Sequence, residues 1–150
     1  MKSAAGKEMR YIMNLFRKEV DNSALFKLNP DLTNVKGWTM GFIYRQQNKG
    51  LDVYQKDIEQ EFNISRSTAT ELLQNLEQNE FLTRKANESD GRLKKIVLKE
   101  KGIKLQKEVI KTFELVENKL LDGFSKNEKE QLFNFLGRIR KNLEGKDEQC

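Results

Sequence analysis

The stretch that most restricts how this chain can fold lies between Val53 and Leu98. Two short amphipathic segments meet there at one tight turn, and two strand-like runs follow at once. The first segment predicts a helix over residues 53–62, with Asp52 and Gln55 as a capping box in which Asp stands in for Ser or Thr. Asn63 falls where the chain must turn sharply, and Asn tolerates left-handed backbone better than most residues. Ser65 is a natural N-cap for a second helix over residues 66–78. Residues 81–85 and 95–98 alternate as strands, and the polar loop between them carries an Asp90-Gly91 turn signal, so a hairpin with a long tip is expected.

The second helix divides cleanly by face. Ala69, Leu72, Leu73 and Leu76 gather on one side and must bury against Ile58, Phe62 and a neighbouring helix; Ser67, Thr70, Glu71 and Gln74 gather on the other. A polar helix face of this size fits the major groove of B-DNA, where side chains near the helix start reach base edges. Gln74 is suited to bond adenine at two points, Ser67 and Thr70 to bond bases or phosphates, and Arg66 to reach guanine or the backbone. The helix start, with Ser65 and Thr68, presents unpaired N–H groups and a positive dipole end to phosphate. Either feature alone describes an ordinary solvated surface; the hairpin beside the helix changes the balance. Arg92 sits at its tip with Lys94 and Lys95 behind it, and Arg84 on the first strand is placed to meet a phosphate. Between residues 84 and 101 seven basic residues face three acidic ones, most of the excess behind the net charge of +5. A long cationic side chain on an extended loop suits the minor groove, where negative potential is strongest.

Flanking segments are helical. Met9, Ile12, Met13, Phe16 and Val20 share one face of a helix over residues 4–21. Residues 22–34 read as a connection punctuated by Asn29-Pro30, and a helix follows over residues 35–48 with Asn34 as its N-cap and with Gly37 and Gly41 on one side, allowing close approach. Beyond the hairpin, Leu105, Val109, Phe113, Val116 and Leu120 form a nearly heptad stripe. Ser125 and Glu128 have capping-box spacing ahead of a last helix with Leu132, Phe135, Leu136, Ile139 and Leu143 on its apolar face. The expected fold is therefore mainly α with a small β-hairpin wing, a winged helix-turn-helix flanked by N- and C-terminal dimerisation helices. Its expected divisions are 1–34 (dimerisation helix and connection), 35–100 (DNA-binding lobe) and 101–150 (dimerisation helices and polar tail).

The wing carries a resemblance. Asp90, Arg92, Leu98 and Gly102 match the Asp-x-Arg, Leu and Gly positions of the wing motif of the MarR family of transcriptional regulators. The runs Ile64-Ser65-Arg66-Ser67-Thr68-Ala69-Thr70 and Gln55-Lys56-Asp57-Ile58 are similar to that family's recognition helix and preceding helix. The resemblance implies a homodimer built from the first and last helices, with two recognition helices in successive major grooves of a pseudo-palindromic double-stranded DNA operator. Arg92 would grip the minor groove, and Asp90 would orient Arg92 or the wing backbone. Three positions depart from the pattern. Glu71 stands on the groove face, where a carboxylate accepts from cytosine but repels phosphate. Glu80 replaces a glycine after the recognition helix, so Asn79 is expected to take the left-handed conformation instead. Lys99 replaces a Thr cap, weakening the next helix start by about 1 kcal/mol.

The resemblance also implies a small, frequently aromatic effector, or control by oxidation or metals. The chain has no His and one Cys, Cys150, which excludes a His/Cys zinc site within a subunit and leaves redox control to a pairing between chains; no cofactor is expected. Tyr11, Phe16, Phe26, Trp38 and Phe42 are the aromatic side chains available to line a cleft between the dimer helices and the DNA-binding lobe, their plainer role being core packing. The lone cysteine, the absence of a leader-like start and the absence of a long apolar run predict a cytoplasmic protein. The expected function is sequence-specific binding of duplex DNA by a homodimeric repressor. The rival reading, favoured by Glu71, is a winged-helix protein-interaction module that does not regulate DNA; an enzyme is disfavoured, since histidine is absent, no phosphate-binding loop motif occurs and Cys150 is a poor nucleophile candidate.

Overall fold

The computed structural model describes residues 4–145, so Cys150 lies outside the described residues. The elements run α1 (Ala5–Asp21), α2 (Ala24–Leu28), a 3-10 turn (Pro30–Thr33), α3 (Val35–Asn48), α4 (Gln55–Phe62), α5 (Arg66–Gln78), β1 (Leu82–Ala86), β2 (Lys94–Leu98), α6 (Glu100–Leu120) and α7 (Lys126–Glu144). The chain divides into two compact units, residues 1–114 and 115–150.

In the first unit the core sits under the helix-turn-helix and hairpin. Ile43 of α3, Ile58 of α4, Leu73 and Leu76 of α5, Leu82 of β1 and Ile96 of β2 are fully buried. The apolar face expected for the second helix of the pair is the one that packs: Ala69, Leu72, Leu73 and Leu76 are its buried residues. β1 and β2 pair antiparallel in the register Leu82↔Leu98 to Ala86↔Lys94. With a period of two, this register turns Leu82, Ile96 and Leu98 onto the core. Val53 adds a third rung: its carbonyl accepts from the Ile96 N–H at 2.8 Å, tying the entrance of α4 to the hairpin.

Local chemistry explains most boundaries. Asn34 Oδ1 accepts from the Lys36 N–H at 2.9 Å and starts α3. Ser65 Oγ accepts from the Thr68 N–H at 3.2 Å and starts α5. Asn63 ends α4 in the left-handed region, φ 49°. Gly37 is required by proximity: a Cβ there would lie 2.4 Å from the Leu32 carbonyl oxygen. Its close neighbour is thus the 3-10 turn. Gly102 is similar, its missing Cβ falling 2.5 Å from the Phe81 carbonyl oxygen.

Several expectations are corrected. The connection over residues 22–34 is mostly helical, holding α2 and the 3-10 turn. The Asp52–Gln55 box does not form: α4 begins at Gln55, the Asp57 carboxylate accepts from the Tyr54 N–H at 2.8 Å, and Asp52 pairs instead with Lys95. Asn79 keeps ordinary backbone at φ −86° while Glu80 itself takes the left-handed conformation at φ 64°. The Glu80 side chain pairs with Lys99. That hydrogen bond and charge hold the Glu80 carboxyl below its usual range.

In the second unit, the capping box expected for α7 is present. Ser125 Oγ accepts from the Glu128 N–H at 3.2 Å, and the Glu128 carboxylate accepts from the Ser125 N–H at 2.7 Å. That bond lowers the Glu128 pKa. No described residue of α7 is buried, and Phe133, Phe135, Leu136 and Leu143 are all exposed.

Candidate nucleic-acid interface

Ser65, Arg66, Ser67 and Thr68 form the exposed first turn of α5, and Glu71 and Gln74 continue the same exposed side. The three hydroxyls of the turn are linked, Ser65 Oγ lying 3.1 Å from Ser67 Oγ and 2.8 Å from Thr68 Oγ1. This network satisfies the cap and leaves the helix start open to an anion. Thr70 is more constrained: its hydroxyl donates to the Arg66 carbonyl at 2.8 Å and accepts from Gln55 Nε2 at 3.0 Å.

The wing is organised by Asn87. Its Oδ1 accepts from the Ser89 N–H at 2.8 Å and the Ser89 hydroxyl at 2.9 Å, folding the tip in an Asx turn. Its Nδ2 donates to the Tyr54 hydroxyl at 2.5 Å, fastening the wing to the residue that precedes α4. The Asp90 carboxylate accepts from the Arg92 N–H at 3.0 Å, so its contact is with the wing backbone. Arg92 and Lys94 are exposed.

Between α5 and the wing runs a concave cleft of about 530 Å³. Lys56, Arg66, Arg84, Arg92 and Lys94 line it against one acid, Glu59. The structure sorts the predicted cations into two groups. Arg84 is committed: its Nη2 lies 2.7 Å from Glu77 Oε2 and its Nε donates to the same oxygen at 2.8 Å, with both side chains partly buried. Lys95 is paired with Asp52 at 2.7 Å, a contact that raises its pKa. Lys56, Arg66, Arg92 and Lys94 have no ion pair among the described residues. Tyr54, Lys56 and Asn87 were not singled out from sequence. Asn87-Glu88-Ser89-Asp90 carries an Asx-turn pattern that points to the wing tip, whereas the partner Tyr54 is distant in sequence.

A second cavity, of about 390 Å³, lies within the first unit. Phe16, Phe26 and Trp38 line it, as expected, together with Phe113, whose ring centroid lies 6.1 Å from those of Phe16 and Phe26. Arg45 and the almost fully buried Gln106 supply polar groups. Two expected residues are elsewhere. Tyr11 is on the outside of α1, 60% exposed. Phe42 is a core residue, edge-on to Phe62 at 6.1 Å. No cluster of metal-ligating side chains occurs among the described residues, and no described helix is long and apolar enough to cross a membrane.

Two helices packed through their apolar sides, an exposed polar face on the second and a cationic wing beside it define a winged helix-turn-helix of the DNA-binding class. The family model described as "MarR family" matches residues 31–93. The chain is 31% identical over 125 residues to the uncharacterised HTH-type transcriptional regulator YwhA of Bacillus subtilis (strain 168), spanning 83% of this chain and 82% of that one. It is 28% identical over 114 residues to YybA of the same strain, another uncharacterised HTH-type transcriptional regulator, spanning 76% and 75%. The crystal structure of MepR, a transcription regulator of the Staphylococcus aureus multidrug efflux pump MepA, matches with a TM-score of 0.76 and 27% identity over 94% of this chain and 99% of MepR. MepR has also been solved bound to ethidium bromide and, as a point variant, bound to an oligodeoxyribonucleotide. The chain belongs to the MarR family of DNA-binding transcriptional regulators.

Proposed function

We propose that this protein is a cytoplasmic repressor that binds a pseudo-palindromic duplex as a homodimer, with α5 in the major groove and the wing in the adjacent minor groove. The observation that carries the reading is the cleft between α5 and the wing, lined by five basic side chains and one acidic one. A sugar-phosphate strand running along it would leave a major groove on the α5 side and a minor groove on the wing side. Ser65, Arg66, Ser67, Thr68, Thr70 and Gln74 then face base edges and phosphates, while Arg92, Lys94 and Lys95 serve the wing. Asp90 shapes the wing backbone, and Arg84 acts by bracing β1 on α5. The MepR complex with an oligodeoxyribonucleotide supports duplex binding by this architecture.

Pairing of two chains is supported by apolar side chains left uncovered in each unit: Tyr11, Ile12 and Met13 on α1, and Phe133, Phe135 and Leu136 on α7. Residues 1–34 and 101–150 serve dimerisation, and residues 35–100 engage DNA. The cavity bounded by Phe16, Phe26, Trp38 and Phe113 takes a small apolar or aromatic effector, with Gln106 and Arg45 as its polar contacts. The MepR complex with ethidium bromide supports such a role. An effector that fits one spacing of the two DNA-binding lobes better than another shifts operator affinity by its differential binding, typically ~1–3 kcal/mol.

Gel-shift titration against the chain's own promoter and against random duplex tests the reading. Tight, sequence-dependent binding that weakens steeply with salt is expected. Weak binding that ignores salt would return the interaction-module reading. Sedimentation at micromolar concentration should give a dimer.

A further inference from the structure

The hydrogen bonds around Thr70 fix more than its position. The hydroxyl touches the Arg66 carbonyl oxygen at 2.8 Å and Gln55 Nε2 at 3.0 Å. A carbonyl oxygen can only accept and an amide nitrogen can only donate, so the hydroxyl proton goes to Arg66 and one lone pair goes to Gln55. The orientation of the Gln55 amide is itself determined: the same nitrogen lies 3.3 Å from the Arg66 carbonyl, where an oxygen would find no proton. The proton and one of two lone pairs are spent inside the protein. What Thr70 can offer a ligand is the remaining lone pair.

We propose that Gln55 is a positioning residue for base readout. By holding the Thr70 hydroxyl in this arrangement it makes Thr70 an acceptor only, selecting an amino base over a keto base in the major groove. This rests on the groove reading above. In the major groove adenine and cytosine present an exocyclic amino donor, whereas thymine O4 and guanine O6 are acceptors. An unconstrained threonine hydroxyl can answer either kind, by donating or accepting. Threonine also samples two side-chain rotamers in a helix, and the Gln55 bond favours the one observed. Gln55 is the first residue of α4 and is half-buried, so its backbone is fixed by the helix and its amide has little freedom to follow a ligand.

The test is selection of preferred duplexes from a randomised pool by wild type, Thr70→Val, Gln55→Ala and the double variant, with thermal melting to establish that each is folded. Gln55→Leu, which keeps side-chain bulk and loses both bonds, serves as the second probe of position 55. Wild type should prefer one base pair, in one orientation, at one position of each half-site, by about fivefold, the lower end of a base contact. Thr70→Val should erase that preference. Gln55→Ala and Gln55→Leu should relax the same position, and the double variant should match Thr70→Val. The affinity of the two Gln55 variants for random duplex, and its salt dependence, should stay as in wild type. At the Thr70-dependent pair, replacing adenine by purine or cytosine by 2-pyrimidinone, which deletes the exocyclic amino group, should abolish the preference, and a preference that survives overturns the proposal. So does an unchanged profile in both Gln55 variants, or additive effects of the two sites. A wild-type protein that selects a site and loses affinity on Arg92→Ala, with no response to Gln55, leaves the groove reading standing and removes only this proposal. Failure of wild type to select any sequence removes the groove reading and this proposal with it.

Discussion

Arg92→Ala and Arg84→Ala remove the same formal charge from the same cleft, yet the structure predicts different consequences for DNA binding. Arg84 is already neutralised by Glu77 at 2.7 Å, and Arg92 faces solvent at the wing tip. The cleft holds four basic side chains without an ion pair, Lys56, Arg66, Arg92 and Lys94. Two chains then bring roughly eight cations to phosphate, and with about 0.9 counterions released per phosphate the slope of log K against log salt should be near −7. Arg92→Ala removes two of the eight and should move the slope to about −5, with an affinity loss of roughly 1–3 kcal/mol per wing. Arg84→Ala should leave the slope within about half a unit of wild type, since it removes a charge that released few counterions. Its effect should appear as stability, a loss of about 1 kcal/mol for a partly screened ion pair. The assay is fluorescence anisotropy of a labelled operator across 50 to 300 mM salt, a range of order the Debye-screening regime, alongside thermal melts. If the two variants shifted the slope equally, the general field of a basic protein would suffice and the division of the cleft into committed and available cations would be wrong.

Other consequences follow from the packing. Gly37→Ala sets a methyl 2.4 Å from the Leu32 carbonyl oxygen, which belongs to backbone and cannot swing aside. Overpacking of ~1–3 kcal/mol should outweigh a helix-propensity gain of at most ~1, lowering the melting temperature by several degrees; an equal or higher melting temperature would contradict the close approach. Glu80→Gly relieves left-handed backbone at φ 64° at the cost of an exposed ion pair, so it should stabilise by up to ~1 kcal/mol while Glu80→Ala destabilises. A glycine variant less stable than the alanine variant would count against that backbone. The Glu80 and Glu128 carboxyls titrate below their usual value when folded. Their contribution to stability is therefore complete above the unfolded value, about pH 4.3, and is lost as pH falls through the folded values. Glu128→Gln should flatten the acid limb of the stability curve, and an unchanged limb would show that the α7 cap carries no such linkage.

The parts of this fold that were legible in the sequence are those set by neighbours a few residues apart. The buried side of α5, the Ser65 and Ser125 caps and the left-handed Asn63 each follow from side chains within one or two helical turns. The helical α2 and 3-10 turn escaped because a five-residue helix and a four-residue turn are too short to display a period. The left-handed residue after α5 was misplaced by one position because Asn tolerates that backbone better than Glu. The Glu80 side chain then finds Lys99, nineteen residues away, which intrinsic preference does not report. The site divides the same way. Exposure of Ser67, Gln74 and Arg92 was readable from helix face and hairpin tip. The commitments of Arg84 to Glu77, Thr70 to Gln55 and Asn87 to Tyr54 depend on how separate elements meet. Phe42 and Tyr11 show the converse: an aromatic residue in the right segment reaches the cavity of Phe16, Phe26 and Trp38 only if its helix face does, and neither of these faces does.

The central claim is that α5 and the wing straddle one strand of a duplex and that paired chains repeat the arrangement a helical turn away. Dimethyl sulfate footprinting of an operator fragment, which reads guanine N7 in the major groove and adenine N3 in the minor groove, done on both strands with wild type and Arg92→Ala, tests it directly. Two protected major-groove windows should appear about 10 base pairs apart, centre to centre, or at a multiple of that spacing, each flanked by minor-groove protection that disappears in the variant. A single window, or flanking protection indifferent to Arg92, would contradict the account.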